Sequence, residues 1–172
     1  GGAPVSVNEY LAPVSSTAEI EYCSFTYYNL SYSYMSAITG EAHQLKFGAG
    51  GSYALEVKNI ISWGTLGVKN AADMCLGCNK LESVPNDVAG SFANVTSFLG
   101  AFSMCSSLKE IPAGLFRYAT LAKNFEDCFS YTVSITEIPE DLFVNCTSAE
   151  RFIYTFYGTG TGIVNTTSTL PN

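Results

Sequence analysis

The chain is 172 residues long, with 47% hydrophobic residues, 13% charged residues and a formal net charge of −7. This length allows one domain with a sizeable core, and the charged fraction is about half of the quarter that is usual in globular proteins. The acidic balance argues against nucleic-acid binding, which needs clustered Lys and Arg. The sequence has no run of about 18 apolar residues, so we expect no membrane insertion of this segment.

The first third of the chain divides into an arm and a strand-rich region. Residues 1–18 contain prolines and little periodicity, and we interpret them as an extended arm or linker. Residues 19–35 are rich in aromatic and β-branched side chains, which alternate with polar ones in the manner of a half-buried strand. A glycine turn at residues 47–53 precedes further strand-like sequence. We therefore predict a small β subdomain over residues 19–67.

The rest of the chain repeats with a period of 27 residues. At this offset apolar, proline and aromatic residues fall into shared columns: Leu81, Leu108 and Ile135; Val84, Ile111 and Ile138; Pro85, Pro112 and Pro139; Val88, Leu115 and Leu142; Phe98, Phe125 and Phe152; Cys75, Phe102, Phe129 and Phe156. A fixed period between about 20 and 50 residues is typical of stacked repeats, which bury their apolar sides against their neighbours.

Each repeat shows the same order of local patterns. Aromatic residues four apart, such as Phe98 and Phe102, predict one face of a short helix. The following extended piece, "SLKEIP", predicts a short strand that stacks on its neighbours. We therefore predict an α+β fold in which residues 68–172 form a right-handed solenoid of 27-residue repeats, each a short helix plus a short strand. The last, degenerate unit is expected to cap it.

Six cysteines invite both a disulfide and a metal interpretation: Cys23, Cys75, Cys78, Cys105, Cys128 and Cys146. The only CxxC, formed by Cys75 and Cys78, has no second pair, and the only histidine, His43, lies far upstream, so we expect no metal site. Cys78 shares a column with Cys105 and Thr132, which favours small buried packing positions. Buried thiols are the favoured interpretation, and at least one disulfide is the alternative.

The stretch "IISWGTLGVKNAADMCLGCNKLESVP", followed by Phe-containing repeats with "CSSLKEIP", resembles the BspA-like leucine-rich-repeat surface proteins. The resemblance covers about residues 45–157 and rests on Ile61, Trp63, Gly64, Cys78, Leu81 and Pro85. It implies a leucine-rich-repeat-like solenoid that binds or adheres without catalysis and without a cofactor, on a bacterial cell surface or within a phage tail fibre or other virion protein. Two features depart from the family: Cys75 replaces the Phe of its column, and the segment before Trp63 is rich in Tyr and Ser.

An enzymatic function is disfavoured because the necessary groups are missing. A Ser or Cys triad would have to use His43, and no strained glycine elbow presents a nucleophile. Two pairs of carboxylates, Glu126 with Asp127 and Glu140 with Asp141, are adjacent in sequence. Adjacent side chains usually point apart, whereas glycoside hydrolysis needs two carboxylates that face each other. We therefore expect a protein that is not an enzyme.

A binding surface is predicted instead. Tyrosines among serines are typical of adaptable binding surfaces, although their alternation also fits the core of the β subdomain. Two glutamates in neighbouring repeats predict either an acidic patch or a solvated face. These candidate residues are Tyr27, Tyr28, Tyr32, Tyr34, Glu110 and Glu137.

The sequence thus leads to two functional hypotheses. The first is an extracellular, non-enzymatic binding or adhesion module that contacts protein or glycan on a cell or virion surface. The alternative is a structural virion domain, in a tail fibre or decoration protein, that assembles with sister chains as a homo-oligomer. The chain begins with glycine rather than Met, which suggests a processed product or a fragment of a larger polypeptide.

Overall fold

The computed structural model describes residues 19–22, 57–63 and 68–160. Two strands, β1 (Glu19–Tyr22) and β2 (Val57–Ser62), pair antiparallel, with irregularities in their register. The predicted arm and most of the predicted β subdomain lie outside the described residues, so these domain boundaries stay predictions.

Strand β2 also contacts the first repeat, on the side away from β1. The Glu82 N–H donates to the Lys58 carbonyl at 2.7 Å, and the Ile60 N–H donates to the Ser83 carbonyl at 3.1 Å. A parallel bridge joins Asn59 to Ser83. Because Ile60 is buried among the repeat side chains, β2 closes one end of the common core.

Trp63 anchors the end of β2 to the repeats. Its side chain is 2% exposed, and the indole N–H donates to the Pro85 carbonyl at 2.8 Å. The ring lies 4.9 Å from that of Phe92 and 6.3 Å from that of Phe102, measured between centroids. A buried Trp needs a hydrogen-bond partner for its N–H, and the proline carbonyl supplies one.

Runs of overlapping turns occupy the same place in successive repeats. We call them the turn segments, and they comprise residues 71–77, 98–104, 125–131 and 152–158. Their N–H groups alternate between two kinds of acceptor. In the second turn segment the Phe102 N–H donates to the Cys128 carbonyl of the next repeat at 2.8 Å, whereas the Ser103 N–H donates to the Gly100 carbonyl at 3.1 Å.

The predicted α+β solenoid, with a helix and a strand in every 27-residue repeat, is wrong. Residues 57–63 and 68–160 contain no helix, and the strands of the described chain, β1 and β2, both precede the repeats. A helix directs its N–H groups to the carbonyl four residues earlier, which the alternating bonds of the turn segments do not do. Gly100 and Met104 also have φ values of 60° and 61°, in the left-handed region that interrupts a right-handed helix.

The predicted strands of the repeats are absent for a related reason. In the piece "SLKEIP", the Lys109 N–H reaches the Glu82 carbonyl at 3.3 Å, and this bond alone does not build a strand. Parallel bridges instead join the residues that precede the turn segments, Ser97 with Asn124 and Asn124 with Arg151. The backbone bonds between repeats are therefore concentrated in the turn segments.

The predicted aromatic columns are confirmed as stacks of nearly parallel rings. Phe98, Phe125 and Phe152 lie 5.4 and 5.5 Å apart between successive centroids, at interplanar angles of 10° and 8°. The Phe129 ring lies 5.3 Å from Phe102 and 5.6 Å from Phe156, at 6° and 2°. Phe116 and Phe143, which the column analysis did not single out, form a further stacked pair at 5.7 Å. The spacing of four residues thus marks inward positions correctly, although they belong to turns.

The Val88 column is wrong in the first repeat. Leu115 is fully buried, but Val88 is 76% exposed. The reason is Asp87, whose buried carboxylate accepts the N–H groups of Ser91 at 2.9 Å and Phe92 at 3.0 Å. This loop turns Val88 outward and places the Phe92 ring in the core instead.

Candidate functional site

The predicted binding surface is only partly described. Tyr27, Tyr28, Tyr32 and Tyr34 lie outside the described residues. Glu110 and Glu137 are exposed, and the ion pairs within the described part of the chain involve neither of them. Their role as an acidic patch or as a solvated face stays a prediction.

The neighbouring column gives the cross-repeat pair that its charges predict. Lys109 Nζ lies 2.7 Å from Glu82 Oε2, and the hydrogen bond from Lys109 lowers the pKa of the Glu82 carboxyl. Arg151 pairs in the same way with Glu126 of the preceding repeat. The Lys109–Glu82 pair is exposed on both sides, so its contribution to stability is small.

A cluster of exposed aromatic side chains lies on the last two turn segments. We call it the tyrosine corner, and it consists of Tyr131, Tyr154 and Tyr157, with exposed fractions of 47%, 61% and 55%. The Tyr131 and Tyr157 centroids are 5.4 Å apart, with planes at 88°. The Tyr154 and Tyr157 centroids are also 5.4 Å apart, with planes at 68°. Edge-to-face packing of this kind holds the rings at fixed angles.

Two of these tyrosines stand at left-handed backbone positions, with φ values of 58° at Tyr131 and 56° at Tyr154. Such a conformation costs about 1 to 2 kcal/mol for a residue with a Cβ. Residues that tolerate this conformation fill the first column before Tyr154: Asp73, Gly100 and Asp127. The column of Tyr131 holds glycine in two repeats, at Gly77 and Gly158, and Met104 in another. The fold therefore does not need tyrosine at either position.

The surroundings of Tyr131 fix its ring and its charge state. The ring lies across Gly158, where an added Cβ would approach Tyr131 Cδ1 to 2.9 Å. Partial desolvation, followed by the neighbouring Tyr157 and the Asp127 carboxylate, raises the pKa of Tyr131. Tyr131 is thus a neutral phenol at physiological pH.

Apart from the tyrosine corner, the described residues form an open groove of about 420 Å³ beside Trp63. Its lining comprises Ser62, Trp63, Pro85, Asn86, Val88, Ala89 and Ser91. The indole N–H is already bonded to Pro85, and the Asn86 side chain accepts the Gly114 N–H at 2.7 Å. No residue of this lining carries a charge.

The described residues provide no assembled catalytic or metal centre. His43 lies outside them, and Glu126 is engaged by Arg151. Within residues 57–63 and 68–160 no group of three or more His, Cys, Asp or Glu side chains is arranged to hold a metal ion. Glu140 and Asp141 are exposed to solvent.

The cysteines of the repeats are buried and free of disulfides: Cys75, Cys78, Cys105, Cys128 and Cys146. Cys23 lies outside the described residues. Burial is the largest cause that raises the pKa of Cys75, Cys105 and Cys128, and it raises that of Cys146 to about 12. Burial thus favours the protonated thiol at Cys75, Cys105, Cys128 and Cys146 near neutral pH.

The tyrosine corner was missed by the sequence reasoning, which placed recognition in the tyrosines near residue 30. A signal was present in the repeat columns. Tyr131 replaces the glycine of its column, and Tyr154 replaces Asp or Gly in another. A bulky aromatic residue in a column where glycine or aspartate occurs in other repeats indicates a position that packing does not dictate.

Comparison of the chain with protein-family models, curated protein sequences and solved structures finds no match. The resemblance to the BspA-like family therefore stays a prediction. In the described residues no helix has the length and apolar character needed to cross a membrane.

Proposed function

We propose that the protein is a non-enzymatic binding module that contacts protein or glycan on a bacterial cell or virion surface. The observation that carries the proposal is the tyrosine corner, three exposed rings on adjacent turn segments. Tyrosine supplies a large contact area at low entropic cost because it has only two side-chain torsions. Exposed rings held together in this way are typical of recognition surfaces.

The backbone beneath the corner supports the same proposal. The Tyr131 N–H donates to the Tyr157 carbonyl at 2.7 Å, so the two rings project from directly bonded segments. The Phe129 ring lies 5.6 Å from that of Phe156 immediately inside. Preorganised side chains lose little freedom on binding, which increases affinity. Unfavourable backbone conformations at exposed residues also fit selection for function rather than for stability.

The proposal is tested by measuring attachment of the purified 172-residue chain to bacterial cells and to a glycan array. The test variant combines Tyr131→Gly with Tyr154→Gly, because glycine suits both backbone positions. We expect this variant to stay folded and to lose binding at least tenfold. The matched control is Tyr118→Ala, which removes a tyrosine that is 40% exposed and outside the corner. Equal binding by the wild type and the double variant would contradict the proposal.

The structural alternative is supported by a different observation at the last turn segment. The Phe129 N–H donates to the Thr155 carbonyl at 2.8 Å, but the Phe156 N–H, at the matching place, meets no acceptor within residues 57–63 and 68–160. A sister chain that supplied carbonyl groups would bind there. Light scattering on the isolated chain separates the two functions, since the assembly domain forms a concentration-dependent oligomer and the binding module alone does not.

A further inference from the structure

We infer that the tyrosine corner accepts a Lys or Arg side chain from a basic segment of a partner protein. This inference rests on the proposed binding function and specifies its partner. It draws on three features: the angles between the rings, the presence of Asp127 in the same turn segment as Tyr131, and the net charge of the chain.

The edge-to-face packing of the three rings sets their planes at steep angles to one another. The planes of Tyr131 and Tyr157 are at 88°, and Tyr154 extends the cluster on the other side of Tyr157 at 68°. Ring faces set nearly at right angles form two sides of a corner. The face of an aromatic ring carries the negative part of its quadrupole and attracts a cation within about 6 Å of the centroid.

The electrostatic surroundings select the sign of the partner. Asp127 lies four residues before Tyr131 in the same turn segment, and its carboxylate contributes to the raised pKa of Tyr131. Arg151, which precedes the last turn segment, is engaged by Glu126. A cation in the corner would gain from Asp127 as well as from the rings, whereas a phosphate or carboxylate would be repelled. The net charge of −7 favours the approach of a basic partner over longer distances.

A neutral glycan is the main competing occupant. Sugar C–H groups stack on exposed rings, but such stacking neither requires Asp127 nor weakens strongly with added salt. The two occupants therefore respond differently to removal of the carboxylate, to salt, and to neutralisation of the ligand's charge.

The test uses a tetralysine peptide as the probe and its Nε-acetylated form as the uncharged control. Binding to the 172-residue chain is followed at low and high salt by NMR chemical-shift changes of the tyrosine ring protons. Four variants accompany the wild type. Tyr131→Phe with Tyr154→Phe keeps the ring faces, Tyr131→Gly with Tyr154→Gly removes them, Asp127→Asn keeps a side chain that tolerates left-handed φ, and Tyr118→Ala serves as the control.

We expect tetralysine to shift the ring protons of the corner, and the acetylated peptide to shift them at least tenfold less. Each ring removed should weaken binding about 2- to 5-fold, as should Asp127→Asn, while the Phe double variant and Tyr118→Ala keep most of the affinity. Binding of tetralysine should weaken as salt is raised.

The inference is overturned if the acetylated and charged peptides bind equally, if Asp127→Asn has no effect, or if no binding of tetralysine occurs. Loss of the Tyr hydroxyls in the Phe double variant, if it abolished binding, would also overturn it in favour of hydrogen-bonded recognition. Failure with tetralysine, combined with glycan or cell binding that depends on Tyr131 and Tyr154, would leave the proposed function intact and refute only the cationic partner.

Discussion

Each turn segment contains two residues with left-handed φ, and the side chains at those positions differ in what they contribute. The first position is filled by Asp73, Gly100, Asp127 and Tyr154, and the second by Gly77, Met104, Tyr131 and Gly158. Asp and Gly adopt this conformation readily, whereas Met and Tyr do so at an energetic cost. Glycine can be required at these positions for a second reason. The turn segments of adjacent repeats lie in contact, so a Cβ can collide with the neighbouring segment.

Gly100 and Gly77 both have positive φ, but they differ in the space available for a Cβ. A Cβ on Gly100 would lie 2.7 Å from Asp73 Oδ1, while a Cβ on Gly77 would meet nothing within 4 Å. Both residues have positive φ, so Gly77→Ala should lower the free energy of unfolding by about 1 to 2 kcal/mol. Gly100→Ala should lower it by more, since Asp73 must also move. Urea denaturation of both variants measures the difference, and equal losses would show that contact with Asp73 is unimportant.

The turn segment is the element that organises the repeats. An Asn or Ser side chain begins the first three turn segments. Asn70 Oδ1 accepts the Ala72 N–H at 2.8 Å, Ser97 Oγ accepts the Leu99 N–H at 3.3 Å, and Asn124 Oδ1 accepts the Glu126 N–H at 2.9 Å. Such Asx turns start a chain reversal without a helix. Some of its N–H groups then donate to carbonyls within the segment, and the others donate to carbonyls of the next repeat. One element therefore replaces both the helix and the strand that the sequence suggests.

Amide hydrogen exchange tests this alternation directly. In the third turn segment, Phe129 and Ser130 N–H groups both have acceptors, the first in the next repeat and the second within the segment. We expect both to exchange slowly. In the last turn segment the Thr155 N–H is bonded locally to Phe152, but the Phe156 N–H has no acceptor within residues 57–63 and 68–160. Exchange should therefore be slow at Thr155 and much faster at Phe156, and uniform protection along residues 152–158 would contradict the bonding pattern.

The sequence predicted which residues meet, but it did not predict the elements that bring them together. Phe98 and Phe125 share a column at the 27-residue offset, and their rings are stacked in the structure. Periodicity reports which side of the chain is buried, and a turn segment with left-handed residues buries positions four apart just as a helix does. Val88 was misplaced because the buried carboxylate of Asp87 redirects one loop, an interaction that a column of apolar residues does not reveal.

The candidate site was harder to predict for a different reason. Tyr154 and Tyr157 are exposed, so burial imposes no period on them, and the analysis of columns favours buried residues. Their proximity to Tyr131 depends on the 27-residue stacking together with the spacing inside a turn segment. Only the combination of the two places the three rings in one corner.

At the scale of the whole molecule, the repeats share an interior that contains thiols and hydroxyls among the phenylalanine rings. Cys105 Sγ donates to the Cys75 carbonyl at 3.1 Å. In the last described repeat a hydroxyl makes the matching bond: Thr159 Oγ1 donates to the Phe129 carbonyl at 2.7 Å. These groups are compatible with burial because they are neutral and hydrogen-bonded. The stability of the stack should therefore depend on keeping the thiols protonated.

Alkaline pH should unfold the protein through these cysteines. Burial raises the pKa of Cys75, Cys105 and Cys128 above the ordinary value, and that of Cys146 to about 12. Below about pH 8.5, the ordinary thiol pKa, folded and unfolded chains hold the same protons, so the contribution of burial is fully present. Above that pH the unfolded chain releases thiol protons that the folded chain keeps. The free energy of unfolding should then fall by about 1.4 kcal/mol per pH unit for each such cysteine.

Each of the four thiols adds to this fall, so the free energy of unfolding should decrease steeply as the pH rises above about 8.5. Urea denaturation from pH 7 to 11 in the presence of a reducing agent measures the slope.

Lys and Tyr also titrate in this range, so the matched variant is Cys105→Thr, which introduces the residue found at Thr132 in the same column. Its slope above pH 9 should be shallower by about 1.4 kcal/mol per pH unit. An identical slope in the variant would show that the Cys105 thiol ionises as easily in the folded chain as in the unfolded one, and hence that the core admits water there.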